Sequence, residues 1–297
     1  MSKIQDALRK LQVQRPDSGT GSEVRETKPA RRIAKTAIPV AKKKKVEIST
    51  AKYHLDETQL IRRGLLAPLD QAIPVADEFR RIKRPLIDNA LRASADASDH
   101  MNLIMVASPL PGAGKTFCSV NLAASISLER ELNVLLVDAD VAKPHISASF
   151  GLQDRPGLID LLEDESIAVS DVLIRTDLND ILVLPAGQKH SQSTELLASE
   201  RMEAVMDELA TRYQDRLVVM DSPPLIITSE AQVVARQAGQ IALVVESGKT
   251  TNSEIQEALE LLDLDKAINI ILNKSLYSQA GGYYGGGYGS YGFNDEE

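Results

Sequence analysis

The 297-residue chain is 43% apolar, enough for one substantial core with extensions, and its single cysteine, Cys118, excludes an internal disulfide framework and fits a reducing compartment. Net charge is −8 but unevenly spread: residues 1–50 carry 13 Lys/Arg against 5 Asp/Glu, leaving 21 against 37 in residues 51–297. An acidic body argues against nucleic acid as a partner, and with no signal-like start and no apolar run near about 18 residues the expected location is cytoplasmic.

Residues 1–13 place Ile4, Ala7, Leu8 and Leu11 on one helical stripe behind Ser2, which predicts a short amphipathic helix, received by a partner or membrane surface or packed back on the body. Residues 14–50 are rich in charge, Pro, Ser and Thr, with the run Lys42, Lys43, Lys44, Lys45, and read as a disordered basic linker. The run is ordinarily just solvated; weak contact with anionic lipid is the other reading. A folded domain is expected over 51–276 and a flexible Gly/Tyr-rich tail over 277–297.

Near residues 76–84, the spacing of Glu78, Arg81 and Arg84 puts all three within about 120° of one helical face, and Pro85 is expected to end or kink that helix. From residue 101 short apolar runs alternate with helical stretches: 102–107, 133–137, 181–184, 216–220, 240–246 and 268–273 read as buried strands. Their near-continuous hydrophobicity predicts an α/β fold with a doubly wound, mostly parallel sheet covered on both faces. Met202, Val205, Met206, Leu209 and Tyr213 form one helical stripe between strands, and 253–263 repeats the pattern.

Three strand ends carry the chemistry. After the first strand, "SPLPGAGKT" offers a glycine-bent loop, with Gly112 and Gly114, that opens a helix. Backbone N–H groups of such a loop and the helix N-terminus receive phosphate; Lys115 neutralises β/γ-phosphate charge and the Thr116 hydroxyl ligates Mg²⁺. Pro109 stands where the strict consensus has glycine, so the loop is a variant form. "VLLVDADVAKP" ends a second strand with Asp138 and Asp140, and "RLVVMDSPP" ends another with Asp221. Carboxylates there are suited to Mg²⁺, through Thr116, Asp140 and Asp221, and to accepting a proton, for which Asp138 is the candidate base. A turn or helix cap is the ordinary role of one such Asp; three strand-end motifs in this order are not ordinary. The predicted nucleotide contacts are Pro111, Gly112, Ala113, Gly114, Lys115 and Thr116, and the catalytic set is Lys115, Asp138 and Asp140.

On "SPLPGAGKT", "VDADVAKP", "MDSPP" and the terminal tyrosines, the chain resembles the cytoplasmic bacterial tyrosine kinases, P-loop autokinases of exopolysaccharide synthesis related to the MinD/ParA ATPases. The resemblance covers about residues 70–297. It implies ATP and Mg²⁺ as cofactors, Tyr283, Tyr284, Tyr288 and Tyr291 as phosphoacceptors, transfer between subunits, and an adenine contact from Asn273. It also implies a ring-like homo-oligomer built on the E-x-x-R-x-x-R face of Glu78, Arg81 and Arg84, where a solvated charged face is the ordinary reading. A membrane-embedded chain-length or adaptor protein, a tyrosine phosphatase, and peripheral attachment at the inner membrane through the partner are implied too. Two positions depart from the family pattern: Ala113 replaces its usual acid and Ala142 its usual base, with Lys143 beside it.

Two other readings stay open: a MinD/ParA-like switch ATPase, disfavoured by Leu110 and Pro111 where partition ATPases carry a signature lysine, and a non-catalytic protein whose Gly/Tyr tail self-associates. Cys118 reads as a buried helix residue, Tyr53 and Tyr213 as structural, and the four histidines have no ligand spacing.

Overall fold

A computed structural model describes residues 51–68, 71–92, 100–212 and 216–275. The expected N-terminal helix, the basic linker, Tyr213 and the whole tyrosine cluster lie outside the described residues.

In chain order the elements are α1 (Glu57–Arg62), α2 (Ala72–Arg92), β1 (Leu103–Ala107), α3 (Lys115–Ile126), β2 (Asn133–Asp138), α4 (His145–Ser149), α5 (Leu158–Glu163), α6 (Val169–Val172), β3 (Ile174–Arg175), β4 (Leu182–Leu184), α7 (Ser193–Leu197), α8 (Glu200–Arg212), β5 (Arg216–Asp221), α9 (Ser229–Gln237), β6 (Gln240–Glu246), α10 (Asn252–Glu260) and β7 (Ala267–Asn273). The described strands form one sheet in the order β3-β4-β2-β5-β1-β6-β7. All neighbours run parallel except β3, which is antiparallel to β4. The six expected strands are all present; β3 is an addition, because a two-residue pairing leaves no periodicity to read.

The strands have no polar face because both faces are covered. Leu103, Met105, Leu135, Val137, Val218 and Met220 enter one core with α5 to α9, while Ile104, Val106, Leu136 and Val219 enter a second with α1 to α3. The stripe Met202, Val205, Met206 and Leu209 of α8 is buried as its spacing predicts. Helix α10 is fixed by a capping box, with Glu254 N–H donating to Thr251 Oγ1 (3.2 Å) and Thr251 N–H to Glu254 Oε2 (2.7 Å). Among the described residues no helix is long and apolar enough to cross a membrane.

The helix expected near 76–84 does not stop at Pro85; α2 runs from Ala72 through Pro85 to Arg92. Proline removes the hydrogen bond to the Arg81 carbonyl, but both residues sit on the exposed side, where water replaces that donor. The turn beyond is held by burial of Leu86 and Ile87. Glu78, Arg81 and Arg84 are exposed, opposite the buried Phe79, Lys83, Leu86 and Ile87. That inner side packs on α3: the Phe79 and Phe117 rings meet edge-on at 6.0 Å between centroids. Lys83 pairs with Glu129 at 2.9 Å and donates to the Ser125 carbonyl.

Gln240, fully buried at the start of β6, fastens α2 to the sheet. Its Nε2 donates to the carbonyls of Leu86 (2.9 Å) and Met101 (2.6 Å), and its Oε1 accepts from Asn89 Nδ2 (3.2 Å). Gln240→Leu leaves these groups without their partner, and each buried polar group so stranded costs about 1–3 kcal/mol. Urea denaturation of this variant is therefore expected to show a loss of at least about 1 kcal/mol; an unchanged midpoint would show that α2 is held without the glutamine.

Candidate nucleotide site

The parallel strands deliver their carboxyl ends to one edge, and β1, β5 and β2, which carry the three motifs, are direct neighbours there. The loop after β1 is shaped by two left-handed glycines, Gly112 (φ 86°) and Gly114 (φ 93°), which side-chain-bearing residues rarely tolerate. A Cβ on Gly112 would meet nothing within 4 Å, so its backbone faces open space. A Cβ on Gly114 would lie 2.2 Å from Asn273 Nδ2. Helix α3 begins at Lys115 with unpaired N–H groups, and its dipole adds roughly half a positive charge at that end.

Neighbouring strands hold the loop. Leu225 N–H donates to the Ser108 carbonyl (2.9 Å) and Ile226 N–H to that of Pro109 (3.2 Å). From β7, Asn273 Nδ2 donates to the Ala113 carbonyl (2.8 Å); Lys274 Nζ donates to that of Gly112 (2.6 Å) and pairs with Glu246 at 3.2 Å. Asn273 thus touches the loop backbone, and Lys274 is a loop contact that the sequence signalled only by following a strand end.

Three carboxylates and one lysine are buried beneath the loop. Asp138 and Asp221 are register partners on adjacent strands, both on the α3 face of the sheet. Burial, then repulsion by Asp221, raises the Asp138 pKa to about 8, although Ser147 donates both its N–H and its hydroxyl to Oδ2 at 2.7 Å. Burial also raises Asp221 to about 6, against hydrogen bonds from Thr116 and Ser119 (3.0 Å) and the Lys115 charge. Asp140 is raised by burial too, opposed first by the Lys143 N–H. Lys115 is lowered by burial, with Asp221 and Asp140 acting the other way.

A cavity of about 410 Å³ opens over this cluster, and Gly112, Lys115, Thr116 and Asp140 are in its wall. Asp138 is not: it is wholly buried, and its Oδ1 has no hydrogen-bond partner. The expected loop, Asp138, Asp140, Asp221 and Asn273 are brought together, whereas Glu78, Arg81 and Arg84 lie apart on the outer side of α2. Sequence reasoning missed Ser119, Ser147 and Arg63. Ser119, one helical turn beyond Lys115, had a readable spacing; Ser147, nine residues after Asp138, had none.

These residues fit a bound Mg-nucleotide. The glycine cradle is open, and one of the clustered buried acids has an oxygen without a hydrogen-bond partner. Among the described residues no three acidic, His or Cys side chains close around one metal position. Mg²⁺ is commonly held by one or two carboxylates, a hydroxyl and substrate phosphates, and Asp140 and Thr116 in the cavity wall fit that set.

Comparison with known proteins agrees with this geometry. The AAA domain family matches residues 101–273, more than half of the chain and the whole span of the site from β1 to β7. The kinase domain of the Escherichia coli tyrosine kinase ETK superposes with a TM-score of 0.55 at 30% identity, covering 64% of this chain and 74% of that one. The chain belongs to the AAA domain family, among the bacterial tyrosine kinases. The tyrosine-protein kinase YwqD of Bacillus subtilis is 29% identical over 76% of this chain and 92% of its own length. The succinoglycan biosynthesis transport protein ExoP of Rhizobium meliloti is 31% identical over 72% of this chain but only 29% of its own. Against the first curated relatives it matches, the chain spans 21–27% of their length.

Two outcomes follow. Gly114→Ala puts a methyl group against Asn273 and forces a left-handed alanine; strain of about 1–3 kcal/mol predicts Mg-ATP binding weakened roughly tenfold or more by calorimetric titration. Unchanged affinity would mean that Asn273 swings clear.

The second concerns Asp138. With its pKa raised from 3.8 to about 8, the folded protein holds a proton between these pH values that the unfolded chain has released. Stability must therefore fall as pH rises through that window. In EDTA, Asp138→Asn should gain stability over wild type between pH 5 and pH 8, by at least about 1 kcal/mol. Parallel pH profiles of the two proteins would contradict this.

Proposed function

We propose that the chain is an ATP-dependent protein-tyrosine autokinase that phosphorylates Tyr283, Tyr284, Tyr288 and Tyr291, between subunits, and thereby regulates exopolysaccharide chain length or export. The observation that carries the reading is the loop, Lys115 and carboxylate cluster opening on one cavity in a chain with tyrosine kinase relatives.

In this reading bound ATP would supply the phosphoryl group, and Mg²⁺ positive charge beside its phosphates. Lys115 and the N–H groups of Gly112 to Thr116 neutralise the β and γ phosphates, and Asn273 completes the nucleotide site. Thr116 and Asp140 hold the cation from the cavity wall, with Asp221 behind Thr116. Asp138 would receive the phenol proton on its free Oδ1 once the charge of bound Mg²⁺ nearby keeps its carboxyl ionised at neutral pH. Because Asp138 is buried, the acceptor reaches it only when the residues covering it withdraw. The phenolate oxygen then bonds to the γ phosphorus as ADP leaves.

The tail's root supports access. Lys274 rests on the loop itself, and the 9 to 17 residues from it to Tyr283 and Tyr291 would span about 15–25 Å as an unstructured chain. The exposed Glu78, Arg81 and Arg84 face supplies the contact between subunits; a membrane-embedded adaptor and a phosphatase complete the proposed system.

Incubation of the full chain with Mg-ATP should give phosphotyrosine within residues 277–297 by mass spectrometry, and none in Lys115→Met. Mixing Lys115→Met with a tail-truncated active chain should place phosphate on the Lys115→Met tail. Nucleotide binding without any phosphotyrosine would sink the kinase reading; an unlabelled Lys115→Met tail would sink transfer between subunits.

A further inference from the structure

The cavity wall also holds a cation with no assigned role. Arg63 precedes the matched residues 101–273, yet it lines the cavity beside Ala142, Lys143 and His145. A series of local interactions delivers it. Tyr53 N–H donates to the Arg175 carbonyl (2.7 Å) and Leu55 N–H to Asp177 Oδ1 (2.9 Å), which pins the segment to β3 and the turn after it. Asp56 caps α1 by accepting from Gln59 N–H (3.2 Å). Gly64, at φ 70°, ends the helix; Leu65 then turns into the core, and its carbonyl accepts from Asn121 Nδ2 of α3 at 2.8 Å. Arg63 stands at this turn, with Nη1 donating to the Ala148 carbonyl at 3.0 Å.

That bond uses one of five guanidinium N–H groups, leaving a fork able to take a carboxylate. Among the described residues neither Arg63 nor Lys143 forms a salt bridge, and Asp140 is the only acidic residue in the wall. The nucleotide phosphates already have Lys115, the loop N–H groups and the α3 terminus. A second cationic sector in an otherwise acidic body therefore calls for a different anion, and this chain carries one: Asp295, Glu296 and Glu297 begin four residues after Tyr291.

We propose that Arg63 and Lys143 form an acceptor-selection site that binds carboxylates on the C-terminal side of the tyrosine being phosphorylated, here the Asp295–Glu297 run of a second copy of this chain. The proposal rests on the kinase reading and names its substrate class, an acidic tyrosine peptide.

The test uses the full chain with its own acids neutralised (D295N, E296Q, E297Q), so that its tail does not compete. Fluorescein-labelled peptides of residues 283–297, native and with the same three neutralisations, are titrated in Mg-ADP and followed by anisotropy. The native peptide should bind roughly tenfold more tightly at about 50 mM salt, with the advantage shrinking as salt screens it. Arg63→Gln, Lys143→Gln and the pair should progressively abolish the difference, while Arg63→Lys keeps most of it. Equal binding of both peptides, or variants that weaken both alike, would overturn the proposal. Phosphate transfer to the same peptides, measured with Mg-ATP, separates the two readings: discrimination without transfer sinks the kinase alone, and transfer without discrimination sinks the selection site alone.

Discussion

Asp138 and Asp221 sit side by side at the ends of adjacent strands, both out of water; Asp221 makes Asp138 harder to ionise, and Asp140 does the same to Asp221. Taking carboxylates from water is costly unless donors or opposite charge replace the solvent. Lys115, Thr116 and Ser119 from the start of α3, and Ser147 from α4, are those replacements. The sheet order places β5 between β1 and β2, which brings both acids under the loop that carries the lysine. Two hydrophobic cores, one on each face, supply the stability against which this cluster is maintained.

The loop above the cluster owes its shape to distant parts of the chain. Residues 225 and 226 hold its entry, Asn273 and Lys274 hold its glycines, and α2 reaches it through Phe79 on Phe117, a residue of the cavity wall. Lys83 locks the same pair of helices at their far end. The buried face of α2 is thus one side-chain layer from the cavity, with the exposed charges on the opposite side of the helix. Close packing makes such contacts switch between discrete arrangements rather than deform smoothly.

What the sequence made legible was whatever repeats or is punctuated. The six long strands followed from unbroken apolar runs, and the loop, Asp138, Asp140 and Asp221 from glycine and carboxylate placement at strand ends. Pro85 does not end α2, because proline's local penalty is small where its orphaned carbonyl meets water and the next turn is buried. Ser147 and Arg63 left no trace, since each reaches the site through a turn whose direction is set by tertiary contacts: Ser147 by the fold of residues 141–147 over Asp138, Arg63 by Leu65 and Asn121. Strand β3 exists because β4 and the segment at Tyr53 pair with it, not because two residues favour extension.

The position of Lys274 bears on how the proposed autokinase would choose its acceptor. In the proposed reading, a tail rooted on the loop would give its tyrosines a high local concentration at the cavity of the same subunit, in the millimolar range if it acts as a short flexible link. Distance alone therefore does not favour a neighbour. In the proposed reading two features shift the balance: an outward α2 face that brings another copy within the same reach, and a cationic wall whose Arg63 comes from a segment anchored to β3 and α3 rather than to β7. An acidic run entering that wall need not follow the path of its own root, and it can pair with any cavity that orients the preceding tyrosine toward Asp138. Selection by charge and orientation thus does what tether length does not.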